Sequence, residues 1–291
     1  MAAAARRQGC GRGPTPSRSV SGGRALTWKD RRRARRTPPV TVWEAVAVAL
    51  AGLAAGTINT VVGSGTLVTF PVLLAVGYPP VLANVTNTVG LVPGSLSGAV
   101  GYRRELTGQG HRLKRLAVAS VLGGITGAVL LLVLPEEAFQ AIVPVLIGLA
   151  CVMVVVQPWV AARLRAREGH QRREHAGPLL YAGIYLAGIY GGYFGAAQGV
   201  LLIAIMGLLL DEHLQRINAA KNVLALLVNG VAAVVFIAVT DIAWGAAALI
   251  AVGSTVGGQV GAVIGRRIPQ PVLRGLVVVV GLVAMVQILA S

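Results

Sequence analysis

The stretch from Gly52 to Tyr102 limits the fold more than any other part of the chain. It is almost free of charge, too long for one membrane span, and broken by Gly63-Ser64-Gly65. A weaker copy starts at Gly188 and is interrupted at Ala197-Gln198-Gly199. Gly52 and Gly56 match Gly188 and Gly192, and Asn87 matches Asn222. Glycine-interrupted apolar segments at corresponding places in two halves are the best sequence pointer to a transporter's binding site.

Composition sets the class. The chain is 55% hydrophobic and 12% charged, against about 25% charged in a soluble globular chain. An all-α polytopic membrane protein follows. Its 38 glycines suit helices that approach one another closely. The net charge of +16 invites a nucleic-acid reading, but its distribution argues against one. Residues 1–39 hold eleven Lys/Arg and one acid, and most other basic residues sit in short loops between apolar segments. That is a positive-inside pattern. It predicts a cell-membrane protein in contact with the lipid bilayer, with a cytoplasmic N-terminus and no nucleic-acid partner.

The chain divides into an Arg-rich disordered tail (1–39), a first transmembrane repeat (40–160), a basic cytoplasmic linker (161–177) and a second repeat (178–291). The apolar run after the tail is long enough to span and has no clear cleavage site, so it reads as a retained first helix rather than a signal peptide. Two segments, 66–77 and 199–210, are too short to cross; twelve residues make about 18 Å of helix. The expectation is two sequence-related halves with about eight transmembrane helices plus two short re-entrant or broken helices. Four crossings per half favour parallel repeats. The loop charges fit this count in the first half. In the second half the count puts Arg266, Arg267 and Arg274 outside and Thr240-Asp241 inside, so either the positive-inside bias fails there or segment 199–210 contributes to an extra crossing.

An anion inside an apolar slab needs fixed positive potential and hydrogen-bond donors. Helix N-termini supply both. The break at Gly63, Ser64 and Gly65 puts one N-terminus inside the membrane, and the break at Gln198 and Gly199 puts a second. The bland alternative is that the glycines serve helix packing; for Gly52/Gly56, Gly188/Gly192 and Gly257/Gly261/Gly265 packing is the preferred reading. Asn218, Lys221 and Asn222 share one helical face. Lys221 is either an intramembrane functional charge or a side chain that snorkels to the headgroups. Asn84 and Asn87 share a face in the first half and serve either as ligands or as interhelical hydrogen bonds. Asn59 is a weaker candidate beside the first break. No Asp or Glu lies deep in a span and all four histidines are in loops, which disfavours cation transport and carboxylate-based proton coupling. Cys10 and Cys151 fit no disulfide framework or metal-ligand spacing, and no cofactor or metal site is expected. No HExxH, nucleophile elbow or P-loop is present, so an enzyme is not expected.

Three motifs carry a family resemblance: GTINTVVGSGTLVTFPVLL, YPPVLANVTNTVGLVPGSLSGAVGYRREL, and GIYGGYFGAAQGVLLIAIMGLLL with LQRINAAKN. Over about residues 45–290 the chain resembles the TauE/SafE-type sulfite exporters. In the second half the usual glycine cluster is thinned to Gly195-Ala196-Ala197-Gln198-Gly199. The resemblance implies a permease whose partner is a small anion substrate, often sulfite, a sulfonate or another organosulfur anion. An anion channel or a non-transporting membrane subunit stands as the alternative.

Overall fold

The computed structural model describes residues 41–167, 177–264 and 270–290. The Arg-rich tail and most of the linker lie outside these residues. Among them the fold is wholly helical: α1 Val42–Val61, α2 Thr66–Ala75, α3 Pro80–Gly101, α4 Gly110–Val133, α5 Glu136–Arg167, α6 Pro178–Tyr193, α7 Gln198–Leu209, α8 Leu214–Val239, α9 Trp244–Val263 and α10 Gln270–Ala290. Five of these are long and apolar enough to cross a membrane: α1, α4, α5, α8 and α9. α3 has the length, with 22 residues, but it carries Asn84, Asn87 and several Thr and Ser that the protein buries. α6, read as part of a crossing over 178–196, has only 16 residues.

Both breaks are hairpin turns. Gly65, at the start of α2, packs under the Ala55 carbonyl and Asn59 of α1. Tyr78, just past the end of α2, lies close enough to Glu44 in the first turn of α1 that burial and then the Glu44 carboxylate raise its phenol pKa. α2 therefore returns along α1 rather than continuing it. α6 and α7 do the same: Gly191 packs on Gln198 and the earlier Gly183 on the later Ile205.

Small residues set the packing between the two sets of helices. A Cβ added at Gly56 falls 2.2 Å from the Ser254 carbonyl oxygen, and one at Gly257 falls 2.1 Å from that of Leu53. α9 thus lies backbone to backbone against α1, and it packs on α3 as well. In the mirror arrangement α4 packs on α6 and α8, with Gly127 and Gly192 at the close approaches. This is dispersion-driven small-residue packing of the kind transmembrane helices use. The principal helix contacts map onto themselves when α1–α5 are exchanged with α6–α10.

The contacts also fix direction. Gly52, Gly56 and Thr57 of α1 meet Ile250, Ser254 and Gly261 of α9, so these two helices run parallel. α3 meets α9 in the same sense, through Gly90 at Ile250 and Gly101 at Ala262. α3 and α8 run opposite: Thr86 bonds the Ala243 amide, Ser95 bonds Asn229, and Tyr102 packs with Ala219. α4 follows α6 and α8, with Gly123 at Tyr185 and Ser120 at Leu224. Corresponding helices therefore point in opposite directions. This corrects the parallel arrangement that the crossing count favours. The count fails because α1 and α2 form a hairpin that returns to its own side, and hairpins are invisible to a length-based count of spans.

The same geometry sorts the charges. One face of the bundle carries Arg103, Arg104, Arg112, Lys114, Arg115, Arg163, Arg216 and Arg274, with Glu105, Asp211 and Glu212. Here Glu212 accepts from Arg112 at 3.0 Å and from Arg216 at 2.7 Å. The other face carries Glu44, Glu136, Glu137 and Asp241 and, among the described residues, no Lys or Arg. The mismatch expected at Arg274 disappears; Arg266 and Arg267 lie outside the described residues.

Candidate anion site at the hairpin junction

The two turns meet in the core. The Gly199 amide donates to the Gly63 carbonyl at 3.1 Å. A Cβ on either glycine would stand 2.5 Å from the other's Cα. Gly63 takes a left-handed φ of 91°, which glycine adopts without a side-chain clash. On the other side Gly195 has φ 78° and Ala197 has φ 58°. Ala197 is the one non-glycine residue with positive φ among those described, a conformation that costs an L-residue about 1–2 kcal/mol. The Tyr190 hydroxyl donates to the Ala196 carbonyl and holds this turn from α6. α2 and α7 thus begin close together, each with its N-terminus inside the protein.

The polar residues singled out from the sequence gather around these turns, mostly as donors to the ends of the broken helices. Lys221 does not snorkel. It is 1% exposed, and its Nζ donates to the Asn59 carbonyl at 2.9 Å and the Thr60 carbonyl at 3.2 Å. Its Cδ stands 3.0 Å from where a Cβ on Gly199 would be. Asn218 and Asn222 reach the same Thr60 carbonyl at 3.4 and 3.5 Å. The shared face of α8 therefore caps the C-terminal turn of α1, placing an ammonium at the negative end of that helix. Asn84 of α3 does the equivalent for α6, donating to the Tyr193 carbonyl at 2.9 Å. Each hairpin is capped by a helix from the opposite half. Asn87 accepts from the Thr69 hydroxyl and donates to Thr66 Oγ1 at 3.4 Å, so it braces the first turn of α2. Thr66 and Thr69 were not singled out from the sequence. Their signal was there: two hydroxyls at i, i+3 opening a charge-free segment too short to span.

Several buried polar atoms here have no partner: Ser64 Oγ, Gln198 Nε2, Asn84 Oδ1, Asn218 Oδ1 and the Tyr193 hydroxyl. Most buried polar groups in folded proteins are satisfied, so these are exceptions; Ser64 Oγ, Gln198 Nε2 and the Tyr193 hydroxyl can donate, whereas the two asparagine oxygens only accept. The ends of α2 and α7 supply positive potential, and Lys221 is the one buried charge among the described side chains. No group of three or more His, Cys, Asp or Glu among the described residues could hold a metal ion. The arrangement is chemically suited to an anion.

Fold and junction together define a polytopic helical membrane transporter. Comparison with known proteins agrees. The model of the family described as sulfite exporter TauE/SafE matches residues 48–288, and the chain belongs to that family. The probable membrane transporter protein YfcA of Escherichia coli K12 is 26% identical over 243 residues, covering 81% of this chain and 86% of that protein. The probable membrane transporter protein ORF9 of a Sinorhizobium species is 26% identical over 255 residues, covering 83% and 91%. A probable membrane transporter protein of Haemophilus influenzae is 24% identical over 231 residues, covering 78% and 88%. No solved structure matches the chain.

Proposed function

We propose that the chain is a secondary permease for small oxyanions, namely sulfite, sulfonates or related organosulfur anions, working by alternating access around its hairpin junction. The observation that carries this reading is the meeting of Gly63 and Gly199. It brings two inward-pointing helix N-termini and the buried Lys221 together in one place. The halves are an inverted duplication, the arrangement in which rocking of one half against the other exposes a central site to each side in turn. The self-mapping contacts and the opposed directions of α3 and α8 support it. The face with the arginines is cytoplasmic by the positive-inside rule. α1 then begins on the outer face, the reverse of the cytoplasmic side expected from the tail's arginines.

With no carboxylate deep in a span, export relies on the membrane potential. An anion leaving a negative interior gains about 2.3 kcal/mol per charge per 100 mV. The test is reconstitution of the full chain in liposomes, with sulfite flux followed under an imposed potential and sulfate and methanesulfonate as competitors. Saturable, potential-driven sulfite flux without single-channel currents is the expected result. Unitary currents would replace the permease by a channel. No flux of any oxyanion from a folded preparation would sink the reading.

A further inference from the structure

Both helix starts at the junction leave amides without acceptors, and they differ by one main-chain donor and one hydroxyl. At the start of α7 the main-chain donors from Gln198 onward are used, while the amides of Ala196 and Ala197 find no acceptor among the described residues. Gln198 donates to Gly195 at 3.3 Å, Gly199 to Gly63 at 3.1 Å, Val200 to Ala197 at 3.0 Å and Leu201 to Ala197 at 3.4 Å. The left-handed Ala197 aims its carbonyl back at its own helix, and the Gly63 carbonyl takes the Gly199 amide. At the start of α2 the first main-chain donor in use is Leu67, to Ser64 at 3.2 Å. The amides of Ser64, Gly65 and Thr66 find no acceptor among the described residues. All three residues are buried, Ser64 completely, and the Ser64 hydroxyl also lacks a partner.

We infer that the oxyanion is held chiefly at the α2 end, by the amides of Ser64, Gly65 and Thr66 and the hydroxyl of Ser64, because α7 begins with no such hydroxyl and with its Gln198 main-chain amide already bonded to Gly195. This rests on the permease reading above. Buried donors without acceptors are rare in folded proteins, and a cluster of four at a helix N-terminus matches a group bearing several acceptor oxygens, as a sulfite or sulfonate head does. Two neighbouring features shape the end without touching the anion. Asn87 fixes the first turn of α2 through Thr66 and Thr69. Lys221 sits on the last carbonyls of α1 and offsets the negative helix end that the chain leaves just before Gly63. At the α7 end the free donors are the amides of Ala196 and Ala197 and the side chain of Gln198, whose amide lies over Gly191 of α6.

The experiment measures sulfite and methanesulfonate binding to the detergent-solubilised full chain by thermal stabilisation, with liposome flux alongside. Ser64→Ala removes a hydroxyl that bonds nothing in the protein, so the variant keeps the parent's melting temperature without ligand. It weakens oxyanion binding roughly 10- to 100-fold, the range for a hydrogen bond to a charged partner. Ser64→Cys, a weaker donor, falls between the two. Gln198→Ala, the mirror variant, gives the smaller loss. Binding by Ser64→Ala equal to the parent's, in a parent that moves oxyanions, overturns the inference and leaves the permease. A loss in Gln198→Ala as large as that in Ser64→Ala does the same. A parent that neither binds nor moves an oxyanion overturns both.

Discussion

Gly199→Ala is the smallest change that acts on the junction itself. The added methyl would stand 2.5 Å from Gly63 Cα, 3.0 Å from the Gly63 carbonyl oxygen and 3.0 Å from Lys221 Cδ. Carbon pairs sit at about 3.5–4.0 Å, so the two turns must part by about 1 Å. Lys221 is held by Asn59 and Thr60, which leaves the strain on the glycine pair. Overpacking costs about 1–3 kcal/mol, and the stretched Gly199 to Gly63 bond adds about 0.5–1.5 kcal/mol. Replacing glycine in a helix returns at most about 1 kcal/mol. The net is a destabilisation of about 1–3 kcal/mol, with the closed junction forced open. The assay is the melting temperature in detergent together with sulfite flux. Gly230→Ala serves as control, since a Cβ there meets nothing within 4 Å. The expected pattern is a lower melting temperature and lost transport for Gly199→Ala, with Gly230→Ala at or slightly above the parent. A Gly199→Ala protein that melts and transports like the parent refutes the close contact.

Other variants test other parts. Ala197→Gly relieves about 1–2 kcal/mol of left-handed strain at an entropic cost of about 0.5–1 kcal/mol, so the melting temperature stays level or rises; a clear fall contradicts the strain. Lys221→Met keeps the volume but removes two bonds to carbonyls, about 1.5–3 kcal/mol each with a charged donor. It also removes a desolvation penalty of several kcal/mol. Stability therefore changes little while flux falls sharply, and full flux with Met would end any electrostatic role for Lys221. Single cysteines at Gly77 and Gly108 test the hairpin. A membrane-impermeant thiol reagent reaches them from opposite faces, and labelling of both from one face rules out the return of α2 along α1.

Much of this fold could be read from the sequence, and the failures have physical reasons. Glycines inside apolar stretches revealed both breaks, Gly63 through a left-handed turn and Gly199 through a close backbone approach. The face of Asn218, Lys221 and Asn222 was visible from helical spacing alone. Its role was not, because its partners are the carbonyls of Asn59 and Thr60, more than 150 residues earlier, and main-chain acceptors leave no mark on a sequence. The target of Asn84, the Tyr193 carbonyl, was hidden in the same way. The inversion was missed because a hairpin and a crossing have similar composition. Only the side-by-side contacts of α3 with α8 distinguish them. The unequal ends of the junction depend on the Thr66 amide, which has no acceptor among the described residues while that of Gln198 bonds Gly195, and main-chain partners leave no mark on a sequence.

The most direct measurement of the account is the sidedness of Ser64. In a background with Cys10 and Cys151 replaced by alanine, Ser64→Cys is exposed to an impermeant thiol reagent in right-side-out and in inverted vesicles. The account predicts labelling from either face, slowed by sulfite in both, because the junction opens alternately to each side. Labelling from one face only, or none from either in a transporting protein, would contradict a site at the hairpin junction.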